Sequence, residues 1–179
     1  MIEKVSSKNL LAESLLQLSK AKPLSKITVM EIARNCSLSR EAFYYYFSDK
    51  YQLIFWIYKT HVDQFVVEGR FQEKIIDIWA NSLTVLQKYD YFYIQAIKDP
   101  LIIEQLRTFF VEDVTTCVAH YNQEQLKDDD IRFAIDFYAN GLLQVTLDWL
   151  KSAERIDAYT SSKRMCAIMP QVLKNFYIF

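Results

Sequence analysis

A chain of 179 residues, 51% hydrophobic and 24% charged, is long enough to bury about 70% of its unfolded surface, as one compact unit or two small ones. Two glycines and three prolines are too few for the tight loops of an all-β or α/β protein, and apolar stripes of 3.6-residue period recur along the chain, so an all-α fold is expected. The net charge of -1 argues against a nucleic-acid binder, but residues 1–50 hold eight Lys/Arg against five acids and the rest 13 against 17, so positive charge gathers at the amino end.

The first predicted helix runs from Ser7 to about Ser19 with Leu11, Leu15 and Leu18 as its core stripe, and the Lys20–Ser25 segment with Pro23 ends it. Thr28 and Glu31 then form a capping pair, in which hydroxyl and carboxylate each satisfy an orphan N–H. Val29, Ile32, Ala33 and Cys36 draw one apolar stripe on a helix barely two turns long, too short to stand without neighbours. Leu38 is a buried-type residue inside the following turn, and Ser39 can cap a second short helix. A break of about three residues between two short helices gives the corner of a helix-turn-helix. In the second helix Phe43 and Phe47, four apart, point inward with Leu38, which leaves Arg40, Glu41, Tyr44, Tyr45 and Ser48 on the opposite face. Successive side chains lie about 100° apart, so Tyr44, Tyr45 and Tyr46 cannot all be interior; Tyr46 fits the edge of the core equally well. An outward Arg and Tyr on the second helix is the architecture of a DNA-reading pair, although the same geometry also occurs as plain packing in all-helical domains.

Asp49 and Gln52 cap a fourth helix, 49–69, that stops at Gly69. Lys50 in its first turn is disfavoured by the helix dipole, and a nearby phosphate would account for it. This helix joins a reader unit, 1–50, to a second unit, 51–179, without a flexible linker, so it can pass movement as a rigid lever. A helix from Phe71 to Lys88 (Ile75, Trp79, Leu83, Leu86) and a short aromatic segment, Tyr91–Lys98, come next. Asp99 and Pro100 open a helix carrying Leu106, Phe110, Val114, Cys117, Val118 and Tyr121, which an acidic loop, Asn122–Asp130, follows. From about Asp130 to Ser152, one apolar line (Ile131, Ile135, Tyr138, Leu142, Val145, Trp149) runs beside a second (Phe133, Phe137, Leu143, Leu147, Leu150). Such a helix must be covered on two sides, either by its own unit and a second subunit or from the centre of a monomer's core. The last helix, Tyr159–Phe176, is kinked or interrupted at Pro170.

Leu38, Ser39, Arg40, Ala42, Phe43, Tyr44, Phe47 and Lys50, with KPLSKITV at Lys22–Val29, resemble the N-terminal domain of the TetR/AcrR family of bacterial transcriptional regulators. Cys36 with the run Phe43–Phe47 is similar to that family's dihydroxyacetone kinase regulators. The resemblance implies that Thr28, Ser39, Tyr44 and Lys50 grip backbone phosphates and that Arg40, Glu41 and Tyr45 lie nearest the base edges. Arg can pair with guanine O6 and N7, Glu can accept from cytosine N4, and a tyrosine ring can pack on a thymine methyl or on sugar. Two positions depart from the family pattern: Ser37 stands where glycine often fills the turn, and Glu41 where a small neutral residue is common. The resemblance further implies a C-terminal helical effector and dimerisation unit whose last two helices form a two-fold four-helix interface. The expected function is a homodimeric, sequence-specific regulator on a pseudo-palindromic operator of double-stranded DNA, its half-sites about 34–36 Å apart. It would act as a repressor released by an effector in the second unit; the alternative is a second unit that binds a protein partner instead of a small molecule.

Other chemistry has little material. With His61 and His120 as the two histidines, and no Gly-rich phosphate loop or G-x-S-x-G, no catalysis is expected. Cys36, Cys117 and Cys166 lack C-x-x-C spacing, so reduced thiols are expected, with no metal and no cofactor. His61 falls in line with Leu53, Ile57 and Phe65 and reads as a boundary histidine with one bonded nitrogen or as a polar effector contact. The aromatics of the second unit either line a cavity for an apolar or aromatic small molecule or fill the core. No run reaches the 18 apolar residues of a membrane span, so a cytoplasmic protein without membrane contact is expected.

Overall fold

A computed structural model of the protein describes residues 6–69 and 71–179; Glu3 and Lys4, which enter the amino-end charge, lie outside them. All regular elements among the described residues are helical, as the stripes predict. Ser6 caps α1 (Ser7–Ser19) by accepting from the Asn9 N–H at 3.3 Å. Leu11 and Leu15 are buried as expected, whereas Leu18 is half-buried and Leu16 takes the interior place beside them.

After a 3₁₀ turn, Leu24–Lys26, the Thr28–Glu31 box opens α2 (Val29–Asn35). The Glu31 N–H donates to Thr28 Oγ1 at 3.3 Å, and Glu31 Oε2 accepts from the Thr28 N–H at 2.8 Å. The turn to α3 (Arg40–Tyr46) is a Schellman closure: the Leu38 N–H reaches Ala33 O at 2.9 Å and the Ser37 N–H reaches Arg34 O at 3.1 Å. This closure needs a left-handed residue at Ser37, whose φ is 58°.

Asp49 Oδ1 accepts from the Gln52 N–H at 2.8 Å to start α4 (Lys50–Gly69), while the Gln52 side chain reaches back to the Ser48 N–H at 2.6 Å. The following helix, α5, spans Ile75–Lys88 and starts four residues later than expected. No side chain caps it; the Ile75 N–H donates to Ile178 O at 2.8 Å, so a partner about 100 residues away fixes its start. Then come α6 (Asp90–Ala96) and α7 (Pro100–Asn122), the latter capped by Asp99 with Pro100 in its first turn.

The acidic segment expected to be a loop contains a 3₁₀ turn, Gln123–Lys127, and Asp128 caps α8 (Asp129–Lys151). The predicted last helix is two, α9 (Ala158–Ala167) and α10 (Gln171–Lys174), because Pro170 ends the first and has no N–H to continue it. One connected apolar core runs from Leu11 to Tyr177. Within it α4 packs on α1 at one end and on α5 and α7 at the other, α5 lies along α9, α7 along α8, and α6 touches α1 and the 3₁₀ turn at Leu24. Among the described residues no helix is long and apolar enough to cross a membrane.

Candidate nucleic-acid interface

Two residues hold α3 to the molecule and four face away from it. Phe43 and Phe47 are sealed in the core with their rings 5.8 Å apart, and Tyr46 sits half-buried at its edge. Arg40, Glu41, Tyr44 and Tyr45 are exposed, Tyr45 to 81%. The helix is short but well started, because Ser39 Oγ accepts from the Ala42 N–H at 3.1 Å.

The exposed charges are ordered. Arg40 Nη2 donates to Tyr44 Oη at 3.4 Å with its guanidinium 5.4 Å from the ring centre, and that contact pushes the Arg40 pKa further up. Hydrogen bonds from its own backbone N–H and from the Ser39 hydroxyl hold the Glu41 carboxyl below the usual range. Glu41 therefore covers with its own negative charge the helix end that would otherwise attract phosphate.

Thr28 and Lys50 stand at the starts of α2 and α4, not on α3, and both donate to groups of the protein itself, Thr28 at the surface and Lys50 partly buried. The Thr28 hydroxyl donates to Glu31 Oε2 at 2.8 Å. Lys22, which sequence reasoning passed over, pairs with the same carboxylate and, with Thr28, holds it at about 2. Lys50 Nζ donates to Leu24 O at 2.6 Å and Ile27 O at 3.0 Å; burial pushes its pKa down, against the opposing pull of Asp99. Two of its three N–H groups are thus occupied by carbonyls of the segment between α1 and α2.

Away from α3, a cavity of about 50 Å³ lies between α4, α5, α7 and α8, lined by Tyr58, Trp79, Phe109 and Phe110 with Ser82, Asp113 and Thr146. Pockets that take a small molecule usually measure about 300–1,000 Å³. His61 turns to α6: its Nδ1 lies 2.7 Å from Tyr93 Oη and its ring stacks on Tyr89 at 4.4 Å. Burial first, then Lys88, pushes its pKa down to about 4.

The two apolar lines of α8 do not divide as their spacing suggested. Leu143, Leu147 and Leu150 are interior, but Phe133 and Phe137 of the same line are 72% and 67% exposed, their rings stacked at 6.3 Å. Val145, from the other line, is exposed, as are Ile168 and Val172 beyond α9.

Residues 13–55 match the family described as bacterial regulatory proteins, tetR family, and residues 72–171 match transcriptional regulator C-terminal region. Among curated proteins none matches the sequence. The solved structure of the dihydroxyacetone kinase operon activator DhaS is similar at TM-score 0.67 and 15% identity, over 96% of this chain and 98% of that one. A TetR transcriptional regulator from Rhodococcus sp. RHA1 is similar at 0.55 and 18% identity, over 90% and 93%. The TetR family repressor AlkX from Dietzia sp. strain DQ12-45-1b is similar at 0.54 and 14%, over 96% and 97%. At such identities the likeness to these structures is one of fold.

Proposed function

The chain belongs to the tetR family of bacterial regulatory proteins and is a DNA-binding transcriptional regulator, and from that premise we propose that two copies pair through α8 and the α9–α10 segment and set their α3 helices in successive major grooves of a pseudo-palindromic operator. Residues 1–50 are then the reader and 51–179 the pairing and sensing unit. The observation that carries this reading is Tyr45, 81% exposed on the same helix whose Phe43 is sealed in the core. A ring 81% in water gains little from burial, and its contact within the protein is edge-on with Tyr46 at 4.8 Å.

In this reading Arg40, Glu41 and Tyr45 meet base edges while Ser39 and Tyr44 meet phosphate. Lys50 keeps one N–H for phosphate, and Thr28 releases its hydroxyl from Glu31 to reach one. Glu41 at the amino end of α3 lowers affinity for arbitrary duplex and so narrows the operator. Occupying the operator represses; an effector favouring a conformation with wrongly spaced readers releases it, and DNA then weakens effector binding by the same factor.

A second reading has a protein partner acting on the outside of the second unit. The cavity of about 50 Å³, smaller than pockets that usually take a small molecule, favours it.

The test is selection from a random duplex library followed by titration of the enriched sequence. Arg40→Ala should change the preferred base at one position of each half-site and cost about 1–3 kcal/mol there. Binding by the unaltered protein that is equal on enriched and random duplex would overturn the reading.

A further inference from the structure

We propose that Gln95, on α6 in the second unit, is the positioning residue that sets the angle at which the reading helix is presented. This rests on the paired reading above. Its amide spans the joint between the units: Oε1 accepts from the Leu24 N–H at 2.9 Å, and Nε2 donates to Ser19 O at 3.3 Å and to Tyr91 O at 2.8 Å. Leu24 and Ser19 are buried, one at the start of the 3₁₀ turn and the other at the end of α1. Their N–H and C=O are groups that helix termini leave without an intrahelical partner, so each needs one from elsewhere. Gln95 supplies both from sequence distances of 71 and 76 residues.

A reader carried on α4 alone could still turn about that helix, and a second point of attachment removes the freedom. The helix that bears Gln95 is itself anchored. Tyr93 bonds His61 of α4, and Asp90 accepts from Arg155 Nη1 at 3.2 Å. Arg155 in turn holds Ser152 O, just past the end of α8, at 3.1 Å. The orientation of the reader therefore follows α6, and α6 follows the end of α8 through Arg155.

The experiment compares Gln95→Ala and Gln95→Met with the unaltered protein, selecting from duplex libraries in which two half-sites stand at varied separation. The unaltered protein is expected to select paired half-sites at one separation. Both variants should keep the half-site bases, which α3 reads, and lose about tenfold of the preference for that separation. In Gln95→Met, which keeps the side chain's length, hydrogen exchange at the Leu24 amide should quicken while that of Phe47 stays as it was. An unchanged separation preference in both variants overturns the proposal. So does loss of the half-site bases in Gln95→Met, because the amide would then serve the reader's own fold. Selection of single, unpaired half-sites by the unaltered protein would show the paired reading itself to be wrong, before any substitution is examined.

Discussion

His61 couples folding to pH with a sign fixed by its surroundings. An imidazole in the unfolded chain takes up a proton near its ordinary 6.5, but between Tyr89 and Tyr93 it resists protonation down to about 4. In that window the unfolded chain binds more protons, so the stability His61 contributes is complete above pH 6.5 and is lost as pH falls toward 4. A full pH unit of difference is worth about 1.4 kcal/mol, and solvent screening of the half-buried ring reduces the loss to about 1–2 kcal/mol. Urea denaturation of the unaltered protein should show this loss between pH 7 and 4, and His61→Gln should show a flatter profile; equal slopes would remove His61 as the source. At this scale the sequence was most legible where a partner is local. The caps at Thr28, Ser39, Asp49 and Asp99 lie within three residues of the groups they satisfy. The left-handed turn at Ser37 follows from its place after α2. Partners such as Tyr93 for His61, 32 residues on, leave no trace in a periodic pattern.

Among the elements, the start of α4 shows how a residue singled out for one role carries another. Lys50 is polar and stands in the first turn of a helix, where sequence reasoning could find only the dipole's objection and a phosphate to answer it. In the absence of DNA the carbonyls of Leu24 and Ile27 also answer it, the first of them already accepting from the Ile27 N–H at 3.2 Å within its own 3₁₀ turn. Charged hydrogen bonds of this kind contribute about 1.5–3 kcal/mol each, and desolvating the ammonium offsets part of that. Lys50→Ala is therefore expected to lower stability by about 1–3 kcal/mol in the absence of DNA, read by urea denaturation. No loss of stability would mean that the ammonium is held only incidentally. The start of α5 was misplaced for a related reason, since its first N–H is satisfied by Ile178 near the other end of the chain. Pro170 offered two outcomes, a kink or a break, and the short α10 with its own turn is the break.

For the whole molecule, the spacing on α8 required a second cover but did not say which residues it would take. Ile131, Ile135 and Leu142 of the first line are interior, as are Leu143, Leu147 and Leu150 of the second, because α7 and α10 pack along that flank. Phe133 and Phe137 stay outside, four residues apart and stacked on each other, with Gly141 continuing their row and open space where its Cβ would be. A glycine there lets a facing helix approach closely. Aromatic side chains bury about 150–250 Å² each, at about 25 cal/mol per Å², so two such rings from each copy, about 70% of whose surface remains to be covered, would supply on the order of 10 kcal/mol before the entropy cost of association is subtracted. Phe133→Asp with Phe137→Asp should leave the thermal unfolding of the single chain intact, because neither ring belongs to the core. It should abolish the pair in sedimentation equilibrium, since a desolvated carboxylate would face its own copy across the two-fold axis. The same double variant should bind a paired operator no better than one half-site, losing the gain that a tethered second reader provides. If it still sediments as a pair, copies meet through another face, and the reading helices must then be brought to the duplex by a different symmetry.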